Sequence, residues 1–400
     1  MSKILGAIEI GTSRSKVLIG ELTETGNLNV LSAAAAPNEG VRKGEISDFR
    51  KAAASAHAAI REAEKSAGTT VDAVYLAQTG SHLRGHSLRG HASIAASDNV
   101  VEEEDLRRAE EEAKRKQPEK GRCYVHHVRA PVMLDGQIVE DPVGKRGANL
   151  EVGYWAIDGD KNPIQEATDV VMGYSGLDIV DVFVSSIASG AILAGPDLQR
   201  AGALVVDIGA GTTDYVLYRH GHVAITGVVA VGGDHLTGDL GMGLRVHEHY
   251  AEQLKLEHGK ALTEENDAKE EVWLIGNKTI GDRSVSRKAI CDIIHARVVE
   301  LFEIIGKELG DLLDPAEVAS GVLLTGGGSR LPGIEQVASK VLGLSARRAA
   351  FPAGILGELA DPANATVLGL LHFGLKDGES RASPASPSFF RKITRFVGIG

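Results

Sequence analysis

One pattern constrains this chain more than any other: an apolar strand breaks into a glycine turn and returns as a second strand, and the pattern is used twice. Ala203 to Asp207 leads into Gly209-Ala210-Gly211-Thr212-Thr213, and Asp214 to Tyr218 returns. Ala7 to Ile10 and Lys16 to Gly20 flank the turn Gly11-Thr12-Ser13-Arg14-Ser15 in the same way. A hairpin that opens the chain and recurs near its middle reads as an internal repeat, and so as two related α/β halves.

Such turns suit a phosphate chain, which needs several backbone N–H groups aimed at one point; glycine allows that close approach. In the first turn Gly11, Thr12 and Ser13 supply donors and Lys16 a point charge. In the second, Gly209, Gly211, Thr212 and Thr213 surround phosphate, and Asp207 ends the strand where it could hold Mg²⁺ through water. Glu9 occupies the equivalent strand end of the first hairpin, so the two carboxylates are expected to face one another across the phosphates. A third apolar strand, Val322 to Thr325, breaks into Gly326, Gly327 and Gly328, where a flat purine would pack on backbone. Each turn alone is explained equally well by tight chain reversal. One nucleotide explains all three together. The chain contains no GxxxxGK[ST] and no dinucleotide fingerprint, which excludes Walker and Rossmann readings.

Composition narrows the setting. With 54 acidic against 43 basic residues and a net charge of -11, the surface should repel nucleic acid. Cys123 and Cys291 stand far apart without CxxC spacing, which predicts a reducing, cytoplasmic compartment. The first apolar run meets Glu9 too early for a signal-peptide core, and no segment reaches the roughly 20 apolar residues of a membrane span. His247 and His249, and the adjacent His126 and His127, lack third and fourth ligands at metal spacing, so surface or satisfied histidines are expected there.

Along the chain, a third strand at Leu28 to Ser32 and a helix over Ser47 to Ala67 precede a strand at Ala73 to Ala77. From Ser81 to about Asp160 the character changes. A charged helix, Glu102 to Lys116, is followed by strands Tyr124 to Val128 and Val132 to Val139, the latter divided by the turn Asp135-Gly136, and by Leu150 to Ile157, as in an inserted α+β module. A helix Gln165 to Gly176, a strand Asp178 to Val184 and a helix through Ser189 to Leu193 then lead into the second hairpin.

Glu9-Ile10-Gly11-Thr12-Ser13, Asp207-Ile208-Gly209-Ala210-Gly211-Thr212-Thr213-Asp214 and Leu324-Thr325-Gly326-Gly327-Gly328 together resemble the phosphate and adenosine motifs of the actin, Hsp70 and sugar kinase superfamily. Within it the chain resembles the FtsA family, on Pro142-Val143-Gly144, Gly147, Leu150-Glu151 and the stretch Ser81 to Lys116. The resemblance implies an actin-like α/β fold, two related halves around a nucleotide cleft. Residues 1–80, completed by 161–193 and 351–375, would form subdomain IA, 81–160 the insert 1C, 194–230 with 301–350 subdomain IIA, and 231–300 subdomain IIB. It also implies ATP and Mg²⁺ as cofactors. Val231-Gly232-Gly233-Asp234 would lie near the nucleotide, with Glu252 and Lys255 around ribose and adenine; on a helix that i, i+3 pair shares one face, as an ordinary solvated ion pair also would. Many superfamily members carry Asp at the position of Glu9. No residue identifies itself as the catalytic base, so tight binding with slow hydrolysis is expected.

Residues 376–387 lack apolar periodicity and read as a flexible linker. Beyond it, Phe389, Phe390, Ile393, Phe396 and Val397 form one helical face and Arg391, Lys392 and Arg395 the other, so 388–400 reads as an amphipathic membrane-targeting helix. Burying five such side chains yields at most about 7–15 kcal/mol gross, against about 10–20 kcal/mol to order the segment. A single tail should therefore bind an anionic membrane weakly, and filaments would add avidity. Docking on a protein groove is the competing reading of this segment. The resemblance further implies self-assembly, other division proteins and the C-terminal tail of FtsZ as partners at the septum, on the cytoplasmic face of the membrane. Arg283, Arg287, Lys288 and Arg297 are candidate FtsZ contacts. The alternative is an actin-like pilus-assembly adaptor that binds a membrane protein's cytoplasmic peptide.

Overall fold

The computed structural model describes residues 3–22, 28–275 and 281–380. Two five-stranded sheets carry the repeat. In the first, Lys3–Ile10, Arg14–Leu22 and Leu28–Pro37 form an antiparallel meander, and Ala73–Gln78 and then Asp178–Val184 extend the sheet in parallel beyond Lys3–Ile10. In the second, Ala203–Ile208, Thr213–Arg219 and His222–Val229 form the meander, with Val322–Thr325 and Ala346–Arg348 as the parallel strands. The repeat expected from two short turns thus extends to two whole sheets.

The strands most deeply placed are continuous apolar runs, as sheets covered on both faces require. Helix Phe49–Ala67 covers one face of the first sheet, burying Ala52, Ala56, Ala59, Ile60 and Ala63. Asp48 caps its start by accepting from the Lys51 N–H, and Gly68 ends it in the left-handed region. Helices Ser185–Leu193 and Ala365–Ser380 pack together on the other face. Helix Arg287–Leu309 buries Ile294, Val298, Leu301, Phe302 and Ile305 in the core of the second half.

Between Ala73–Gln78 and Asp178–Val184 the chain builds a separate five-stranded sheet covered by helix Glu103–Lys114. Its long strand Asn149–Asp160 pairs with Arg84–Ser93, Arg122–Arg129 and Val132–Leu134. Val132–Leu134 and Gln137–Val139 form the hairpin expected at Asp135-Gly136. Arg84–Ser93 has no counterpart in the sequence reading, because its outward positions are Arg, His and Ser while its inward side is Leu88, Gly90 and Ala92. The insert touches the second half directly: Trp155 Nε1 donates to Thr226 Oγ1 at 3.0 Å.

Other boundaries shift for physical reasons. The third strand runs to Pro37, since its alanines pair with Arg14–Leu22 whatever their weak β propensity. The helices expected from Gln165 and Ser189 begin at Lys161 and Ser185. Arg287–Leu309 is one continuous helix running through residue 300, where the sequence reading divides IIB from IIA. Helix Ala365–Ser380 takes in 376–380, the expected start of the linker. The rest of the linker, and the expected membrane helix from Phe389 to Val397, lie outside the described residues.

Candidate functional site

The two hairpin turns close in the same way. Gly11 N–H donates to the Arg14 carbonyl at 3.1 Å, and Gly209 N–H to the Thr212 carbonyl at 2.9 Å. Each closure leaves the next two N–H groups, those of Thr12 and Ser13 and of Ala210 and Gly211, without a hydrogen-bond partner among the described residues. The turns meet: a Cβ on Gly211 would stand 2.4 Å from Thr12 Oγ1 and 2.9 Å from the Lys43 nitrogen. Only glycine fits there, and unpaired donors from both halves converge at one place.

The third glycine strand closes on the same point. Gly326, at φ +78, has Asp207 Oδ1 2.4 Å and the Ile208 carbonyl oxygen 2.5 Å from where a Cβ would be. A Cβ on Gly328 would meet the Ile208 side chain, while beside Gly327 the space is open. Gly326 N–H and the Thr325 hydroxyl both donate to the Pro362 carbonyl, at 3.1 and 3.0 Å. The next carbonyl, that of Ala363, accepts from Lys16, whose ammonium also pairs with Glu9 at 3.1 Å.

The opposite flank is equally defined. Gly233 and Asp234 donate their N–H groups to the Gly209 and Ala210 carbonyls, at 3.0 and 2.9 Å. Lys255 donates to the Gly233 carbonyl at 3.1 Å and to Thr237 Oγ1 at 2.9 Å, and pairs with Glu252 at 2.6 Å. Gly233 thus links Lys255, and through it Glu252 one turn away on helix Glu248–His258, to the second turn.

Charge is distributed unevenly. Asp207, recessed beside Gly326, is pushed up to about 6 by burial and then by the nearby Glu9, against Lys16 and hydrogen bonds from Thr366 and Ser189. Asp214 is pushed up to about 7, chiefly by burial, although Thr79 Oγ1 donates to its carboxylate at 2.7 Å and Thr212 Oγ1 at 3.1 Å. Burial first, and the charge of Glu9 beside them, push both carboxyls up, and a hard divalent cation held between Asp207 and Glu9 would offset that repulsion.

Sequence reasoning passed over Thr79, Lys43, Ala363 and Thr366, because they lie remote in sequence from the three glycine turns, Thr366 at the start of helix Ala365–Ser380. It also passed over Gln78. Its Oε1 is buried without a hydrogen-bond partner, and the residue lines a small cavity with Glu9, Gly44, Thr79 and Ser185. The two histidine pairs are not brought to the site; half-buried His126, lowered to about 4 by desolvation, accepts from the Val184 N–H at 3.2 Å.

The four basic residues considered for partner binding do not form an open cationic face. Arg283 donates to the Leu244 carbonyl, Arg287 pairs with Glu270 at 2.8 Å, Lys288 with Asp292 at 2.5 Å and Arg297 with Asp239 at 2.6 Å. The acids that pair with Arg287, Lys288 and Arg297 lie on the same subdomain.

Comparison with known proteins agrees with this architecture. Residues 204–369 match the family described as Cell division protein FtsA, and residues 80–157 the SHS2 domain inserted in FTSA. The chain is 30% identical to Cell division protein FtsA of Neisseria meningitidis over 380 residues, covering 94% of this chain and 91% of the relative. The same protein of Pseudomonas aeruginosa is 29% identical over 393 residues, covering 96% of this chain and 93% of the relative. Among solved structures, the PilM-PilN type IV pilus biogenesis complex aligns with a TM-score of 0.62 at 19% identity, covering 93% of this chain and 98% of that one. MreB5 of Spiroplasma citri bound to ADP aligns at 0.57 and 14%, covering 95% and 99%. These two likenesses carry the actin-like fold alone.

Proposed function

The chain belongs to the FtsA family of cell division proteins, and from that premise we propose that it binds Mg-ATP between its two halves, assembles with itself beneath the membrane and tethers the FtsZ ring there through residues 388–400. The observation that carries the nucleotide part is the convergence of unpaired N–H donors from both hairpin turns beside Asp207 and Gly326. Thr12, Ser13, Ala210 and Gly211 would bind phosphate oxygens, with Lys16 as the accompanying charge. Gly326 to Gly328 on one flank, and Gly233, Glu252 and Lys255 on the other, would hold the nucleoside. Asp207 and Glu9 would hold Mg²⁺ through water, and the ion would supply positive charge to the phosphates. Gln78 presents a free acceptor in the cavity beside Glu9 and would orient a water there. Positioning of that kind, without a strong base, is consistent with slow hydrolysis.

The membrane part rests on the amphipathic sequence of 388–400; no helix among the described residues is long and apolar enough to cross a membrane. The ADP bound to MreB5 supports nucleotide binding by the fold. Since the four arginines and lysines considered for FtsZ are internally paired, its tail would dock on subdomain IIB where Trp273 and Ile275 are exposed. The pilus-adaptor alternative has only the fold in its favour.

Flotation with anionic liposomes and ATP tests the tether. The full chain should float. A chain ending at Ser380, or one carrying Phe389→Ser, Phe390→Ser and Phe396→Ser, should remain in the soluble fraction. Equal flotation of all three would refute the tether and leave the pilus-type adaptor as the better reading.

A further inference from the structure

A second concave surface is lined in part by Lys16. Leu28–Pro37 is the edge strand of the first sheet, and helix Phe49–Ala67 covers only one of its faces. On the other face a groove of about 660 Å³ runs between this strand and the segment 356–367. Its lining is mixed: Leu31, Ala33, Leu356, Leu359 and Val367 form an apolar strip, beside the polar Lys16 and Asn364. Leu356 is 76% exposed and Leu31 37% exposed, so the described residues leave this apolar surface uncovered. At the rim stand Asp361, paired with Arg330, and Glu358, for which the described residues supply no cation.

We propose that this groove is the docking site of the chain's own C-terminal segment 388–400, which fills it when the protein is away from a membrane. The segment's chemistry is complementary, with Phe389, Phe390, Ile393, Phe396 and Val397 for the apolar strip and Arg391, Lys392 and Arg395 for the acidic rim. The reach is sufficient. Helix Ala365–Ser380 starts at the groove, through Val367, and its 16 residues span about 24 Å. The linker 381–387 extends up to about 23 Å, which spans the roughly 20 Å back from Ser380 to Val367 and lets 388–400 reach the groove.

The groove also touches the nucleotide machinery. The segment that forms its wall includes Pro362 and Ala363, whose carbonyls accept from Gly326, Thr325 and Lys16. A docked tail therefore bears on the turn that positions Lys16, and nucleotide binding and tail release are coupled through that turn. The regulatory sense of this device rests on the membrane reading above; the docking itself does not.

Hydroxyl-radical footprinting of the full chain, dilute and without lipid, tests the docking. Leu356 and Leu31 should be oxidised at least fivefold more slowly in the native chain than in the chain carrying Phe389→Ser, Phe390→Ser and Phe396→Ser. Glu358→Arg should abolish most of that protection, and adding Arg391→Glu and Lys392→Glu to it should restore it. Phosphatidylglycerol vesicles should remove the protection as the protein floats. Equal oxidation in native chain and tail variant overturns the docking, and flotation would then still leave the tether standing. Protection without flotation supports docking and removes the tether. Protection that grows with protein concentration means a second copy's tail fills the groove, and overturns docking within one chain.

Discussion

In the first hairpin Glu9 stands opposite Lys16 in the strand register; at the equivalent positions of the second, Asp207 stands opposite Asp214. The backbones close their turns alike, but one hairpin neutralises its acid with a built-in cation while the other opposes two carboxyls. The second pair is held by hydroxyls from Thr79, Thr212 and Thr366 rather than by a positive charge. A repeat of this kind teaches that symmetry of fold need not carry symmetry of electrostatics. The second hairpin lacks cationic charge, and a bound cation would supply it.

The largest effect should come from breaking the second hairpin. Asp207→Ala is expected to weaken Mg-dependent ATP binding by about 100-fold, roughly 2.7 kcal/mol, measured calorimetrically with and without Mg²⁺. Unchanged affinity would remove Asp207 from the metal site. Next comes the pH response. A carboxyl raised from its ordinary value to about 7 holds its proton more tightly in the folded state, so it lowers stability as pH climbs from about 4 to 7. Asp214→Asn should therefore raise the thermal midpoint of the ligand-free protein at pH 8 by several degrees, as a gain of about 1–3 kcal/mol would, and flatten its dependence between pH 5 and 8. A midpoint that falls equally at all pH values would show that the hydrogen bonds from Thr79 and Thr212 matter more than the charge.

Smaller changes sharpen the comparison from the first hairpin. Lys16→Met leaves Glu9 unpaired and should weaken ATP about tenfold, in keeping with the loss of one charge-assisted contact; nucleotide titration followed by fluorescence would show it. Gln78→Ala should slow phosphate release by about three- to tenfold with affinity unchanged, the effect of losing one water-positioning group. If affinity drops as well, Gln78 supports the fold of the turn rather than the water.

Much of this was legible before any coordinates. Gly11, Gly209, Gly211 and Gly326 announced themselves because close backbone approach excludes every other residue type, and that restriction is written locally. The insert was visible as a change of character at Ser81, and the Asp135-Gly136 hairpin as a turn signal. Arg84–Ser93 was not, since a strand with Gly90 and Ala92 facing inward has no apolar alternation to read. Thr79 and Thr366 were hidden for another reason: their importance consists of the acid each hydroxyl reaches, far away in the chain.

By itself, then, the sequence determined the two-half α/β architecture, the glycine turns and the amphipathic character of 388–400, all properties of residues close together along the chain. Only the tertiary structure decided which charges meet. Lys16 is committed to Glu9 and Ala363, Asp207 shares its surroundings with Asp214, and Arg287 and Arg297 pair with Glu270 and Asp239 on other elements. Electrostatic energy depends on separation in space and on burial, and neither is a function of position along the chain.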